Sequence, residues 1–267
     1  MKPPALSVVT AVYNGEPWLA EALDSIVGQT FHDFEFIVVD DGSVDGTAEI
    51  LAARGDPRVR VIRQARAGQT RALNRGLALA SAPVLARMDA DDVSLPDRFA
   101  KQLAFLGGHP EVGLLGTGSR EISGTGRALR LIAPPADDCL IRRALIRANP
   151  FVHSSVMFRR AALEAAGGYD ERFAVAQDYD LWLRMSRVTR LANLPEPLVL
   201  RRVAAGQLSS AQDTTRLRDE VGARVRALRD RAYPLWCAVF LVKPLCALAL
   251  PPRVRHLLRQ RLRRRPA

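Results

Sequence analysis

Cysteine and histidine are scarce in this chain, and their positions argue against two kinds of site. The three cysteines are scattered at residues 139, 237 and 246, without a Cys-x-x-Cys pair. An odd and dispersed set of this kind indicates thiols in a reducing compartment rather than a disulfide framework. The four histidines, at residues 32, 109, 153 and 256, lack the spacing of metal ligands. We therefore do not expect a zinc site built on histidine.

Two further patterns are missing from the start of the chain. Residues 13–15 (YNG) follow the first apolar run, where a Rossmann-type dinucleotide enzyme would carry Gly-x-Gly-x-x-Gly. No secretory signal opens the sequence, because its first residues (MKPP) lead straight into a short strand-like run. These absences argue against a dinucleotide enzyme and predict a cytoplasmic catalytic body.

Charge is distributed unevenly along the 267 residues. Residues 216–267 contain 14 Lys or Arg side chains against three acidic ones, and the rest is balanced, so the net charge of +11 belongs to this segment. The rest of the chain is long enough to bury a core, and 48% of all residues are hydrophobic. We predict a catalytic domain over residues 1–205 and a basic, partly apolar helical appendage over residues 206–267.

The appendage contains an apolar run at residues 234–250, which Lys243 and Pro244 interrupt. A charge and a helix breaker at its centre argue against a full membrane crossing. Arginines on both sides of the run favour an interfacial or re-entrant hairpin, and hence peripheral binding at the inner face of the cell membrane. The alternative is a helix that packs on the catalytic body or on a second subunit. Because the basic residues flank a long apolar run, we do not expect nucleic-acid binding.

Apolar, β-branched runs alternate with helical periods along the chain. The first half predicts strands at residues 5–12, 34–39, 58–62 and 84–88 and helices at residues 16–27, 45–53 and 70–80. The second half predicts strands at residues 113–118 and 153–158. It also predicts helices at residues 137–147 and 177–185, and an alanine-rich helix that follows the second strand and ends at residue 166. This alternation, with short connections, predicts an α/β fold with a parallel sheet and helices on both faces.

Polar loops end three of the predicted strands, at residues 13–15, 40–43 and 89–92. In sheets of this kind, ligands bind beyond the carboxyl ends of the strands. We therefore expect the three loops to converge on one crevice.

The last of these loops contains three carboxylates, Asp89, Asp91 and Asp92. In an extended segment Asp89 and Asp91 point to the same face. Adjacent carboxylates repel each other unless a proton or a cation joins them, and Mg²⁺ or Mn²⁺ bound to substrate phosphates would remove that conflict. The alternative is a polar turn in which Asp92 or Ser94 caps the following helix.

Six segments together resemble glycosyltransferase family 2, whose members have the GT-A fold. They are residues 7–15 (SVVTAVYNG), 25–31 (SIVGQTF), 39–47 (VDDGSVDGT), 71–76 (RALNRG), 88–92 (MDADD) and 177–184 (QDYDLWLR). The resemblance implies a Rossmann-like sheet that is mixed but mostly parallel, with helices on both faces. It also implies an inverting transferase that moves a sugar from a UDP- or dTDP-sugar to a sugar or lipid-linked acceptor. Bacterial-type surface polysaccharide or glycolipid synthesis is the expected setting.

The resemblance assigns roles to individual residues. The donor nucleotide is expected to contact Thr10, Ala11, Tyr13, Asp40, Asp41, Arg71 and Asp89. Asp91, with Asp89 and Asp92 around it, is expected to hold a divalent metal, Mn²⁺ or Mg²⁺. Asp178 is expected to be the general base. The family usually has a glutamate before this aspartate, and Gln177 stands there in this chain, so we expect a difference in acceptor binding.

Several of these residues have a second interpretation. His153 either contacts the diphosphate or metal, or is a hydrogen-bonded core histidine. Asp180 is a rival base, although its place in the first helical turn is more simply explained by the helix dipole. Asp178 could be only an N-cap, and residues 40–43 only a turn. A nucleotidyltransferase would also use metal-binding aspartates, but it has no need of the segment at residues 177–184.

Overall fold

The computed structural model describes residues 3–204 and 213–250, and β-strands form its central layer. The strands are β1 (Leu6–Val12), β2 (Phe34–Asp40), β3 (Val59–Arg63), β4 (Val84–Arg87), β5 (Val93–Ser94), β6 (Val112–Ser123), β7 (Ala128–Ile132), β8 (Met157–Arg159) and β9 (Arg190–Val203). The helices are α1 (Leu19–Val27), α2 (Thr47–Ala52), α3 (Gln69–Leu79), α4 (Arg98–Gly108), α5 (Asp138–Leu145), α6 (Arg160–Ala166), α7 (Gln177–Met185), α8 (Asp213–Arg229) and α9 (Val242–Ala249). Short 3-10 turns lie at His153–Ser155 and Leu235–Leu241.

The strands form one mixed sheet in the order β3-β2-β1-β4-β8-β6-β9-β5, with β7 paired to β6. The first four strands pair in parallel, which matches the alternation of strands and helices along the first half of the chain. The strand β8 is antiparallel to both β4 and β6, whereas β6 and β9 pair in parallel over most of their length. The prediction of a mixed, mostly parallel sheet is confirmed.

Helices cover both faces of this sheet because the side chains of a strand alternate between them. In β1, Val9 and Ala11 pack into one core cluster, which contains residues of α3, α5 and α7. Val8 and Val12 pack into the other cluster, which contains residues of α1 and α4. The buried runs of the first half therefore have the two-sided burial that a central parallel strand requires.

The segment at residues 153–158 differs from its predicted strand. His153–Ser155 forms a 3-10 turn, and β8 begins only at Met157. The backbone N–H and the hydroxyl of Ser155 both donate to the carbonyl oxygen of Val152, at 2.8 Å each. Serine hydroxyls compete with sheet hydrogen bonds in this way. The turn faces the carboxyl end of β4, where the acidic loop lies.

The C-terminal region packs directly on the rest of the molecule. Leu217 and Ala227 of α8 are buried, and Ala223 and Ala227 belong to the core cluster that includes α7. Across residues 3–204 and 213–250, no helix combines the length and the apolar character that a membrane crossing requires. The predicted domain boundary at residues 205/206 and the arginine-rich run at residues 253–265 lie outside the described residues, so that boundary stays a prediction.

Candidate active site

A cavity of about 750 Å³ lies at the carboxyl ends of β1 and β4. The three predicted polar loops contribute to it, through residues 13–15, Asp41 and residues 89–92. Its other walls come from Ala11, Val12, Trp18, Arg66, Gly68, Gln69, Asn149, Phe151, Val152, His153, Ala174, Val175, Gln177, Asp178, Arg201 and Arg202. The expected convergence of the three loops on one crevice is confirmed.

The acidic loop forms a tight group of carboxylates on this cavity. Asp89, Asp91 and Asp92 each offer one oxygen, and these oxygens lie within 4.8 Å of one another. Asp89 and Asp91 are half-buried, whereas Asp92 is buried. Neither Asp92 nor Ser94 caps the next helix, because α4 begins at Arg98 after Asp97. The capping interpretation of this loop is wrong, and three neighbouring carboxylates of this kind match the oxygen ligands that Mg²⁺ and Mn²⁺ prefer.

Buried partners hold the carboxylates in place. The guanidinium of Arg87, which is buried, forms an ion pair with Asp89. The hydroxyl of Ser154 lies 2.7 Å from Oδ2 of Asp89 and 2.5 Å from Oδ2 of Asp92. The other oxygen of Asp92 accepts the backbone N–H of Arg202 at 2.7 Å.

The surroundings shift the pKa values of Asp89 and Asp92 in opposite directions. Burial would raise the pKa of Asp89, but the charge of Arg87 and hydrogen bonds from Arg87 and Ser154 hold it below its usual value. Burial, and then the charges of Asp89 and Asp91, raise the pKa of Asp92. The cluster therefore has an excess of negative charge that a proton or a cation must balance.

A second part of the cavity combines an aromatic ring with a buried carboxylate. The guanidinium of Arg66 lies 3.9 Å from the ring centre of Tyr13. Asp41 accepts the backbone N–H groups of Ala67 and Gly68, each at 2.8 Å. Gly42 allows this approach, since its φ is +77° and a Cβ there would lie 2.9 Å from the backbone nitrogen of Arg66. The loop at residues 64–68 is thereby fixed beside Tyr13.

Four predicted donor-site residues differ in where the structure places them. Ala11 lines the cavity together with Tyr13 and Asp41. Thr10 is buried behind it, where its hydroxyl donates to the carbonyl oxygen of Met88 at 2.9 Å. Asp40 is buried and accepts the backbone N–H of Ser43 at 2.9 Å. Arg71 is exposed and pairs with Glu171 at 3.0 Å, and neither residue is among those that line the cavity.

Asp178 is the second residue of α7 and faces the cavity. The N-cap of this helix is Ala176, so Asp178 is not a capping residue. Its Oδ1 accepts the backbone N–H of Tyr179, and its Oδ2 accepts the side-chain amide of Asn149, each at 2.7 Å. Burial is the main cause that raises the pKa of Asp178 to about 6, and the charge of Asp89 adds to it. A carboxylate with this pKa can take a proton near neutral pH.

Asp180 and His153 have different surroundings. Asp180 is buried, pairs with Arg184 and Arg226 at 2.8 Å each, and is not among the residues that line the cavity. His153 lines the cavity, and its Nε2 lies 2.7 Å from the hydroxyl of Tyr169. Burial, and then the charge of Arg87, lower the pKa of His153 well below its usual value, so its imidazole is neutral.

Several residues of the site had no role in the sequence analysis. They are Arg66, Arg87, Asn149, Ser154, Arg201 and Arg202. Ser154 lies next to His153, and two serines before an apolar run are typical of a turn, because their hydroxyls compete for backbone hydrogen bonds. Arg202 gave no local signal, because it reaches Asp92 across 110 positions of sequence.

Comparison with known proteins places the chain among sugar transferases. The family model "Glycosyl transferase family 2" matches residues 7–167. The amylovoran biosynthesis glycosyltransferase AmsE of Erwinia amylovora is 33% identical, with 97% of this chain and 99% of that protein covered. The putative glycosyltransferase EpsE of Bacillus subtilis is 32% identical, with 94% of this chain and 91% of that protein covered.

Solved structures share the fold at lower sequence identity. S. aureus TarS, solved in complex with UDP, has a TM-score of 0.69 and 20% identity, and 90% of this chain and 70% of that chain are covered. The mannosyltransferase PcManGT from Pyrobaculum calidifontis, solved in complex with GDP-Man and Mn²⁺, has a TM-score of 0.64 and 22% identity. In that comparison, 97% of this chain and 80% of that chain are covered. These likenesses establish the GT-A fold.

Proposed function

The chain belongs to glycosyl transferase family 2, and we propose that it moves a sugar from a nucleoside-diphosphate sugar to an acceptor hydroxyl with inversion at the anomeric carbon. One observation carries this proposal: the carboxylate of Asp178 and the Asp89, Asp91 and Asp92 cluster line the same cavity. A transfer reaction needs a base for the acceptor and charge stabilisation for the leaving group, and the two sets of carboxylates can supply them separately.

The nucleotide of the donor occupies the part of the cavity beside Tyr13. The ring of Tyr13 offers an apolar face to a base, and Arg66 lies against that ring. Both oxygens of Asp41 accept hydrogen bonds from backbone N–H groups, so its carboxylate is held in one orientation. A fixed carboxylate of this kind is suited to recognise a base through a hydrogen bond. Thr10 and Asp40 support this surface from behind, through hydrogen bonds with Met88 and Ser43. Arg71 contacts the donor only when its ion pair with Glu171 is broken. A UDP- or dTDP-sugar is the donor that we expect.

A divalent cation, Mn²⁺ or Mg²⁺, fits the acidic cluster. Its carboxylate oxygens lie within 4.8 Å of one another. Burial, and then the charges of Asp89 and Asp91, raise the pKa of Asp92, so a bound cation would favour its ionised form. Asp91 and Asp89 would hold the cation from the cavity side, with Asp92 behind them. When bound, the cation would stabilise the charge that develops on the leaving diphosphate.

Asp178 accepts the proton of the attacking hydroxyl. Its pKa of about 6 leaves it ionised at pH 7 while keeping it basic enough for the task. Asn149 holds one of its oxygens and the N–H of Tyr179 the other, so the carboxylate has a fixed direction. A single base gives one displacement and therefore inversion, whereas retention through two displacements would need a carboxylate nucleophile. His153, which is neutral, borders the same space and could donate or accept a hydrogen bond to substrate.

The acceptor is a sugar or a lipid-linked sugar in the synthesis of a surface polysaccharide or glycolipid. The relative AmsE is named as a glycosyltransferase of amylovoran biosynthesis, which supports a biosynthetic setting. The C-terminal region supports peripheral contact with a membrane that carries such an acceptor. Leu235, Trp236 and Val239 have exposed fractions of 78%, 68% and 57%. Residues 231–267 contain nine Lys or Arg side chains and no Asp or Glu, which suits an anionic surface.

Calorimetric titration with UDP, dTDP and GDP, each with and without Mn²⁺, tests the proposal. We expect one nucleotide to bind in a metal-dependent manner and the Asp91→Asn variant to lose that dependence. Asp97→Asn is the matched control, because Asp97 is close in sequence but is not among the residues that line the cavity. Incubation with sugar conjugates of the bound nucleotide, followed by detection of the released nucleoside diphosphate, then tests transfer. Absence of binding for all three nucleotides would contradict the proposal.

A further inference from the structure

The helix α8 contributes a carboxylate to the loop that leads into α7. Oδ2 of Asp219 accepts hydrogen bonds from the backbone N–H groups of Ala174 (3.0 Å), Val175 (2.9 Å) and Ala176 (3.4 Å). Successive N–H groups that converge in this way form a concave site for an anion. Ala176 is the N-cap of α7 and has no side-chain oxygen to offer. Asp219 therefore satisfies the backbone N–H of the N-cap residue and of the two residues before it, which the helix itself does not bond.

The loop that Asp219 holds is part of the active-site cavity. Ala174 and Val175 line the cavity, and Asp178 follows Ala176 by two residues. Asp219 itself is not among the lining residues. A shift of this loop would therefore move both the cavity wall and the carboxylate of Asp178, although Asp219 touches neither the cavity nor that carboxylate.

Two arginines of α8 hold the segment that follows Asp178. Nε of Arg224, which is buried, donates to the hydroxyl of Tyr179 at 2.9 Å. Nη1 of Arg226 donates to Oδ1 of Asp180 at 2.8 Å. The helix α8 thus binds the chain immediately before and immediately after Asp178.

Arg224 also connects α8 to the residue that orients Asp178. Its guanidinium donates to the carbonyl oxygens of Ile146 at 3.1 Å and Arg147 at 2.9 Å. These two residues shortly precede Asn149, whose side chain donates to Asp178. Both the base and its hydrogen-bond partner are therefore anchored to the same helix.

We propose that Asp219 is a positioning residue for sugar transfer, which fixes the loop at residues 174–176 so that Asp178 points at the acceptor. The inference rests on the proposed function, because it takes Asp178 as the base. The nucleotide-side residues Tyr13 and Asp41 belong to other loops, and the bonds of Asp219 to residues 174–176 do not reach them, so we expect donor binding to persist when its carboxylate is removed.

The Asp219→Asn variant tests this role, because it keeps the size of the side chain and removes its charge. Asp230→Asn is the matched control: Asp230 follows the same helix and pairs with Arg187 and Arg229, and none of its bonds reaches the loop. Two readouts are measured on wild type and both variants. The first is the steady-state release of nucleoside diphosphate from a panel of UDP-, dTDP- and GDP-linked hexoses, with water as the acceptor. The second is amide hydrogen exchange at residues 174–176.

We expect kcat of Asp219→Asn to fall about 10- to 100-fold, since small displacements of catalytic groups have effects of this size. Donor KM and the stoichiometry of nucleotide binding stay at the wild-type values, and the unchanged stoichiometry excludes a loss of folded protein as the cause of the lower kcat. Exchange accelerates at residues 174–176 and not across β1 or β2, and Asp230→Asn behaves like wild type. The Asp219→Glu variant, which keeps the carboxylate, recovers part of kcat.

The two possible failures are distinct. An active wild type with an equally active Asp219→Asn variant contradicts the positioning role and leaves the proposed function intact. Unchanged exchange at residues 174–176 contradicts it as well. A wild type that neither binds any of the three nucleotides nor releases nucleoside diphosphate from any donor contradicts the proposed function, and the positioning role falls with it.

Discussion

The side-chain amide of Asn149 donates a 2.7 Å hydrogen bond to Oδ2 of Asp178, and this bond links two segments 29 residues apart in sequence. It stabilises the ionised form of a carboxyl whose pKa burial otherwise raises. Because Asn149 is exposed, its hydrogen bond contributes to the orientation of the Asp178 carboxylate as much as to its stability. The pair therefore sets both the orientation and the protonation of the proposed base.

Removal of this partner should make Asp178 harder to ionise. In Asn149→Ala, the pKa of Asp178 rises because the lost bond favoured the charged form. The acid limb of the kcat profile then moves to higher pH, and the rate at pH 6 falls about threefold to tenfold, as expected for one hydrogen bond to a charged group. Rate profiles from pH 4.5 to 8.5 check this. Ala148→Ser, at the preceding exposed residue, is the control, and a limb that moves to lower pH would contradict the prediction.

The wild-type enzyme should lose activity in acid through Asp178. Its folded pKa is raised to about 6, so the carboxyl gains its proton as pH falls through 6, and the rate declines about tenfold per pH unit below that value. Asp178→Asn should lower kcat about 10²- to 10⁴-fold without a change in nucleotide Kd. Sugar-transfer assays measure kcat, and calorimetry on the same preparations measures the nucleotide Kd. A variant that keeps wild-type kcat would show that another group is the base.

The same raised pKa predicts an effect on stability. Folding disfavours the charged form of Asp178, so its contribution to the free energy of unfolding becomes less favourable as pH rises from about 4 to 6 and stays so above 6. Asp178→Asn should therefore have a higher Tm than wild type at pH 7, and the difference should shrink at pH 4.5. Differential scanning calorimetry at the two pH values measures both differences. Equal Tm values at pH 7 would contradict the prediction that folding disfavours the ionised form of Asp178.

Mn²⁺ should stabilise the folded protein through the acidic cluster. A ligand that binds only the native state adds about 2.7 kcal/mol to the free energy of unfolding at a concentration of 100 Kd. We expect the Tm of wild type to rise with Mn²⁺ and to return on addition of a chelator, and Asp91→Asn to show no rise. Asp97→Asn should respond like wild type. A rise of equal size in Asp91→Asn would place the cation elsewhere.

The exposed apolar residues near the C-terminal end should bind anionic membranes. Wild type is expected to sediment with vesicles that contain phosphatidylglycerol more than with pure phosphatidylcholine vesicles, and Trp236 emission should shift to shorter wavelength on binding. Leu235→Ser with Val239→Ser should weaken binding and keep Trp236 as a reporter. Val44→Ser, at a residue that is 83% exposed elsewhere, is the control. Equal sedimentation of all variants would contradict the prediction.

The first half of the fold and the acidic cluster were predictable because their signals are local. The strands around Val8, Val38 and Leu85 are short apolar runs that end in polar loops, and parallel strands bring such loops to one edge. The residues that hold the cluster could not be predicted in this way. Ser154 and Arg202 reach Asp92 from 62 and 110 positions away, and only the pairing of β8 and β9 with the sheet brings them there.

The role of the C-terminal segment was also beyond local signals. Its positive charge and its apolar run favour a membrane surface. The structure shows instead that Asp219 of α8 bonds the loop before α7, and that Arg224 bonds Tyr179 and residues 146–147. Those contacts depend on tertiary packing, in which a few polar side chains meet specific backbone groups. The composition of the segment shows its excess of positive charge, but it does not predict which backbone groups Asp219 and Arg224 contact.

The bond from the backbone N–H of Arg202 to Asp92 also bears on the order in which the protein becomes competent during synthesis. Contacts across long sequence separations form late, because the intervening chain must first be ordered. A ribosome-bound chain that has not yet exposed β9 has the aspartates of residues 89–92 but lacks the group that orients Asp92. The segment at residues 7–167, which the family model matches, is thus too short to be transplanted as a working unit. A graft would have to extend through residue 202 to hold Asp92, and through α8 to hold the loop before Asp178.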